Sequence, residues 1–191
     1  MKLAEKIAAF DERVSASLRL TPDDGIRFKL AAFFAYSGDS WLWCGVLFIL
    51  WLFADGDRER TLAYWGGTIA LTACFVFVLK RVIARARPEG DWGSVYRKTD
   101  PYSFPSGHSV RAGLILMLAI YTFDNPWIIA CFALWAVLMM LARVMTGVHY
   151  LSDVIAGFAI GILIGWFWNA VQPFIYTSFP ILFDKSRWFQ K

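Results

Sequence analysis

Long apolar runs separated by short polar junctions set the pattern of this chain. The run 61–79 is the cleanest: wound as a helix at about 1.5 Å per residue, it covers roughly 28 Å, close to the roughly 30 Å hydrocarbon core of a bilayer. Lys80 ends it abruptly. Before it, residues 33–54 form a run interrupted by Gly38 and Asp39 and closed by the charged cluster DGDRER at 55–60. After it, residues 81–106 are rich in Arg, Asp, Gly, Pro and Ser, the composition of an irregular loop. Residues 107–123 turn apolar again, Asp124, Asn125 and Pro126 mark a tight turn, and 127–141 is the next run, bounded by Arg143. A short polar stretch at 146–153 precedes the last run, 154–170, rich in Gly, Ile and Phe.

This pattern predicts an all-α, multi-span helical membrane bundle with about five transmembrane helices, forming one membrane-embedded domain over residues 1–191. In residues 1–28, Leu3, Ile7, Phe10, Val14 and Leu18 recur at helical spacing between charges, which predicts an N-terminal interfacial helix. No continuous apolar core is present there, so a cleavable signal peptide is not expected.

Composition agrees with a membrane class: 58% of residues are hydrophobic and 18% aromatic. The net charge of +4 comes from basic residues flanking apolar runs, so anionic headgroups and phosphates, not nucleic acid, are the expected partners. Cys44, Cys74 and Cys131 lie inside apolar runs without paired spacing and suggest neither a disulfide framework nor a metal site.

The layout places three junctions on one face: the end of the second run at Lys80, the start of the third near His108, and the gap between Arg143 and the last run. The only two histidines, His108 and His149, stand at these junctions. HYLSD puts His149 four residues before Asp153, on one helical face if the helix has begun. A carboxylate bonded to one ring nitrogen leaves the other free to attack, making His149 a candidate nucleophile and Asp153 its orienter. The same Asp153 also suits a helix cap. FPSGHS at 104–109 joins a Pro-Ser-Gly turn to a helix start, where free N–H groups favour an anion, Gly107 allows close approach, and His108 could protonate a departing oxygen. An ordinary Ser-Gly turn is the alternative. Lys80, Arg87 and Arg143 could neutralise the three equatorial oxygens of a phosphoryl group. Arg81 and Arg85 read as basic anchors that snorkel to the interface.

Lys80, six intervening residues, Arg87-Pro88, then Pro105-Ser106-Gly107-His108, then Arg143, five residues, His149, three residues and Asp153 resemble the three-part signature of the type-2 phosphatidic acid phosphatase superfamily. The signature spans residues 80–153. The resemblance implies a lipid phosphatase or pyrophosphatase in which His149 attacks phosphorus, Asp153 orients it and His108 protonates the leaving group. It further implies that Lys80, Arg87, Ser106, Gly107 and Arg143 hold phosphate, without metal or other cofactor. Ala142 stands where the family usually has Ser, one hydroxyl fewer around the phosphate. The additional N-terminal span of many bacterial members is not expected here.

The expected substrate is a phosphatidate, phosphatidylglycerophosphate or polyprenyl pyrophosphate type of lipid. A small soluble ester or a non-catalytic binding or transport subunit are the alternatives, and vanadate-dependent halide oxidation suits a chain with a larger soluble part. A bacterial inner membrane is the expected location. Five spans put fourteen of the nineteen Lys and Arg on the active-site side, which favours a cytoplasmic site although many bacterial relatives face outward. In intact cells, an impermeant thiol reagent is then expected to label a single cysteine at position 178 and spare one at 94. The reverse pattern excludes the inward orientation.

Overall fold

The apolar runs become helical because a chain in lipid must satisfy its backbone N–H and C=O groups internally. The computed structural model describes residues 3–89 and 98–183. Position 94, Arg97 and the basic residues Lys2, Lys185, Arg187 and Lys191 lie outside the described residues. Within them run α1 (Leu3–Ser17), α2 (Ile26–Ser37), α3 (Ser40–Leu52), α4 (Gly56–Ile83), α5 (Gly107–Thr122), α6 (Pro126–Met145) and α7 (Leu151–Ser178). Short 3-10 turns occupy Pro22–Asp24 and Pro180–Phe183. The described residues contain no strand, only an isolated bridge between Ala86 and Tyr102.

Helices α4, α6 and α7 are long and apolar enough to cross a membrane, and α2 with α3 forms a fourth candidate bent by 59°. The bend falls at Gly38 and Asp39, the residues that interrupt the first apolar run. At 16 residues α5 is shorter, about 24 Å at the usual rise, and does not qualify on length. Its position explains this. Helix α5 is the buried centre of the bundle, with Val110, Leu114 and Ile115 fully enclosed, so its neighbours rather than lipid surround it.

Small residues let α7 reach α5 closely. Gly157, Gly161 and Gly165 recur every fourth residue on the buried face of α7. A Cβ at Gly161 would strike the Val110 carbonyl, and one at Gly157 would lie 2.8 Å from the Ser106 carbonyl oxygen. Gly113 answers from α5 against the backbone of Phe158 and Ile162. Bilayer lipid supplies no hydrophobic drive between helices, so this backbone-to-backbone packing holds the pair.

Away from the junction face, Tyr64, Trp65 and Ile69 of α4 pack with Leu114 and Leu118 of α5 and Phe183. The polar ends of these rings find partners: Trp65 Nε1 donates to Thr122 Oγ1 at 3.2 Å and the Tyr64 hydroxyl to the Trp168 carbonyl. The outer faces carry exposed Leu71, Phe75 and Val78 on α4 and Leu163, Trp166 and Phe167 on α7, as lipid contact requires.

Two local readings change. Lys80 does not end its helix but sits in the last turn of α4, which runs on to Ile83 and closes at Ala84 in the left-handed region (φ 52°). That reversal turns Arg85, Ala86 and Arg87 back over the junction face. Helix α7 starts at Leu151, so His149 precedes it, and Asp153 at its third position accepts the Tyr150 N–H at 2.9 Å. Tyr150 is therefore the N-cap, and Asp153 supports the helix start from the third position while lying beside His149.

Candidate active site

Four cations and two histidines from separate junctions line one cavity of about 350 Å³. Lys80 comes from the last turn of α4, Arg87 from the segment after it, His108 from the first turn of α5, Arg143 from the last turn of α6, and His149 from the link to α7. Arg111, one turn along α5, lies on the same wall. Gly107 opens the cavity at the start of α5, where free N–H groups point outward. Ile69, Thr72, Ala73, Val76 and Phe77 of α4 form its apolar wall, with Trp41 opposite. Phe77 and Trp41 are both largely exposed on the side of the bundle, so the cavity has an apolar flank leading from the lipid-facing surface to a cationic floor.

The bundle buries these charges deeply. Arg143 is fully enclosed and donates from Nη1 to the Ala35 carbonyl at 3.3 Å. Lys80 Nζ donates to Asp100 Oδ2 at 2.5 Å and to the Tyr102 carbonyl at 3.0 Å. Arg87 reaches the same carboxylate oxygen from Nη2 at 2.9 Å and the Asp100 carbonyl from Nε at 2.8 Å. Asp100 thus stands between Lys80 and Arg87 as a carboxylate that balances them.

The geometry at His149 assigns its proton. Arg87 Nη1 lies 3.2 Å from His149 Nε2, and a guanidinium only donates, so in the neutral ring Nε2 accepts and Nδ1 carries the hydrogen. Nδ1 faces Asp153 Oδ2 at 3.6 Å, within ion-pair range but longer than a hydrogen bond. Burial first, then the charges of Arg87, Lys80 and Arg143, hold the His149 imidazole well below its usual pKa. A neutral ring with its lone pair toward the cavity is the result.

His108 has a partner that the sequence reading passed over. Its Nε2 lies 2.7 Å from Asp39 Oδ1, and Arg111 donates to the Gly38 carbonyl and Ser40 hydroxyl of the same break. The α2–α3 break is therefore seated on the first turn of α5. An ionisable residue inside an apolar span was the available signal, since such residues mark functional sites in membranes. Asp100, inside a polar loop, gave none.

One expected phosphate ligand is placed differently. Ser106 does not line the cavity: its hydroxyl caps α5 through Ser109 N at 3.4 Å and accepts from the Ser109 hydroxyl at 3.0 Å. Ala142 is buried against Ala31 and Ala35, so a hydroxyl there would meet α2. The snorkelling reading of Arg85 is also corrected. Arg85 donates from Nη1 to Asp153 Oδ1 at 2.6 Å and from Nη2 to Asp11 Oδ2 at 2.8 Å. Arg81, by contrast, lies on the outer surface of α4 with its guanidinium over the Phe77 ring.

The chain is similar to known lipid phosphatases. The lipid A 1-phosphatase of Rhizobium etli is 36% identical over 135 residues, which cover 65% of this chain and 54% of the relative, so the chain spans about half the length of that protein. The crystal structure of Aquifex aeolicus LpxE superposes with a TM-score of 0.64 at 25% identity, covering 83% of this chain and 92% of the other. The transmembrane PAP2-type phosphatidylglycerolphosphate phosphatase from Bacillus subtilis shares the fold, with a TM-score of 0.67 at 22% identity over 89% of this chain and 88% of its own. The profile of the PAP2 superfamily matches residues 61–176, more than half of the sequence and the whole span of the three motifs, and the chain belongs to that superfamily.

Proposed function

We propose that this protein hydrolyses a lipid phosphate or pyrophosphate through a phosphohistidine on His149. The observation that carries the reading is the cavity itself, in which a neutral, oriented imidazole and buried cations stand at the end of an apolar flank open to the side of the bundle. A lipid tail can lie along α4 while the phosphate reaches Lys80, Arg87 and Arg143.

His149 Nε2 attacks phosphorus as the bond from phosphorus to the leaving oxygen breaks, and the Nδ1 proton remains facing Asp153. The departing alkoxide or phosphate takes a proton from His108, which Asp39 holds in place. Water then attacks the phosphohistidine, giving its proton back to His108, and the phosphorus–nitrogen bond breaks to release phosphate. The cations offset the charge spread over the equatorial oxygens throughout, so the reaction as proposed uses side chains alone. The Rhizobium relative is a lipid A 1-phosphatase, which adds lipid A to the candidate substrates.

Phosphate release from detergent-solubilised protein after exhaustive EDTA treatment tests this reading, with phosphatidate, phosphatidylglycerophosphate, polyprenyl pyrophosphate and lipid A as substrates. Turnover of at least one, blocked by vanadate as a mimic of the five-coordinate phosphorus, is expected. A strict magnesium requirement, or no release from any of the four, contradicts it.

A further inference from the structure

We propose that Arg85, held by Asp11 of the N-terminal helix, is a positioning residue that fixes the carboxylate of Asp153 behind the nucleophile. The inference rests on the phosphohistidine reading of His149. Neither Arg85 nor Asp11 lines the cavity, so their effect on the reaction runs through Asp153.

Asp153 is fully buried and both of its oxygens are taken. Oδ2 accepts the Tyr150 N–H at 2.9 Å and faces His149 Nδ1, while Oδ1 accepts from Arg85 at 2.6 Å. These two bonds set the plane of the carboxylate and hence the direction in which it meets the imidazole. Removing the Arg85 bond would leave the buried carboxylate without its cation and able to turn about its bond from Tyr150.

Arg85 is in turn fixed from three sides. Its Nη1 also donates to Ser152 Oγ at 2.7 Å, its guanidinium lies 4.3 Å from the centre of the Tyr150 ring, and its carbonyl accepts the Ser103 N–H at 2.8 Å. The anchor beyond it is Asp11. That carboxylate accepts from Arg85, from Ser152 N at 3.0 Å and from Ser152 Oγ at 2.5 Å. Burial alone would raise the Asp11 carboxyl, but the bonds from Ser152 and Arg85 outweigh it and hold it below the usual carboxylate range. Asp11 and Ser15 are the buried face of α1, and Ser15 Oγ accepts the Leu151 N–H at 2.9 Å. The apolar face, with Leu3, Ile7 and Phe10, points outward. Helix α1 therefore contributes a charge to the support of the site.

Steady-state kinetics of the full-length chain on the best substrate of the lipid panel test the assignment. Arg85→Gln is expected to lower kcat by about 10- to 100-fold, the range carried by outer partners of an oriented imidazole, with KM little changed. Arg85→Lys should fall between, because an ammonium lacks the fork that joins Asp11 to Asp153. Asp11→Asn, which turns a donor toward Arg85, should also lower kcat, and combining it with Arg85→Gln should add nothing further. Wild-type kcat in folded Arg85→Gln overturns the proposal, and so does a loss confined to KM, which would make Arg85 a phosphate ligand. If Arg85→Gln does not fold, wild-type kcat in Asp11→Asn overturns it equally. Full activity in His149→Ala would instead overturn the reading beneath it.

Discussion

Folded His149→Ala is expected to lose turnover by a factor on the order of 10⁴ to 10⁶, the scale on which removal of a covalent nucleophile acts. The size follows from what remains. Lys80, Arg87 and Arg143 would still bind phosphate, so the variant should retain affinity for vanadate while losing the bond-forming atom. Because Nε2 is the atom that meets Arg87 and the cavity, no other ring in the described site can substitute for it. His108 is turned instead to Asp39. Turnover above a few per cent of wild type in folded His149→Ala removes the assignment.

His108→Ala should fail selectively. A general acid contributes typically about 10²- to 10⁴-fold, and the contribution grows as the leaving group becomes a poorer one. An alkyl phosphate, which leaves as an alkoxide unless protonated, should lose nearly the whole of that factor. An aryl phosphate such as p-nitrophenyl phosphate, whose oxyanion is stable, should lose much less. Equal losses on both substrates would show that His108 serves binding or folding and not proton transfer. The Asp39 contact makes the selective outcome the expected one, because a carboxylate 2.7 Å from Nε2 holds the ring in one orientation at the cavity.

Much of this arrangement was legible before any coordinates. The apolar runs at 61–79, 127–141 and 154–170 each fall within one helix, and 107–123 does so up to Phe123, which caps it, since in lipid the backbone has no alternative that the same residues would satisfy. The convergence of Lys80, Arg87, His108, Arg143 and His149 also followed from the sequence, because alternate junctions of a helical bundle must open on one side. Tertiary contacts were less visible. Asp39 looked like a break in a span, although its carboxylate holds His108. Arg85 looked like one more basic residue at a helix end, yet it joins two acids from segments 142 residues apart in sequence, a pairing that no local pattern encodes. Ser106 matched a phosphate-binding motif, but the helix that begins beside it needed a cap.

Helix α5 shows the same division. Its sixteen residues are short for a span, and hydropathy alone could not say that it would be the enclosed centre of the bundle. The glycines at 157, 161 and 165 carried that information as spacing. It became readable only once the Val110 carbonyl lay where a Cβ at 161 would be.

The covalent step can be observed directly. Purified protein mixed with a lipid labelled in its phosphate, quenched in alkali within milliseconds and digested, should yield one peptide that carries the label on His149. The label should be lost in acid, as a phosphorus–nitrogen bond requires, and the same peptide from the alanine variant should carry none. Steady release of labelled phosphate by wild-type protein with no labelled peptide at any quench time, under conditions in which His108→Ala also accumulates none, would contradict a phosphohistidine and assign the attack on phosphorus to water.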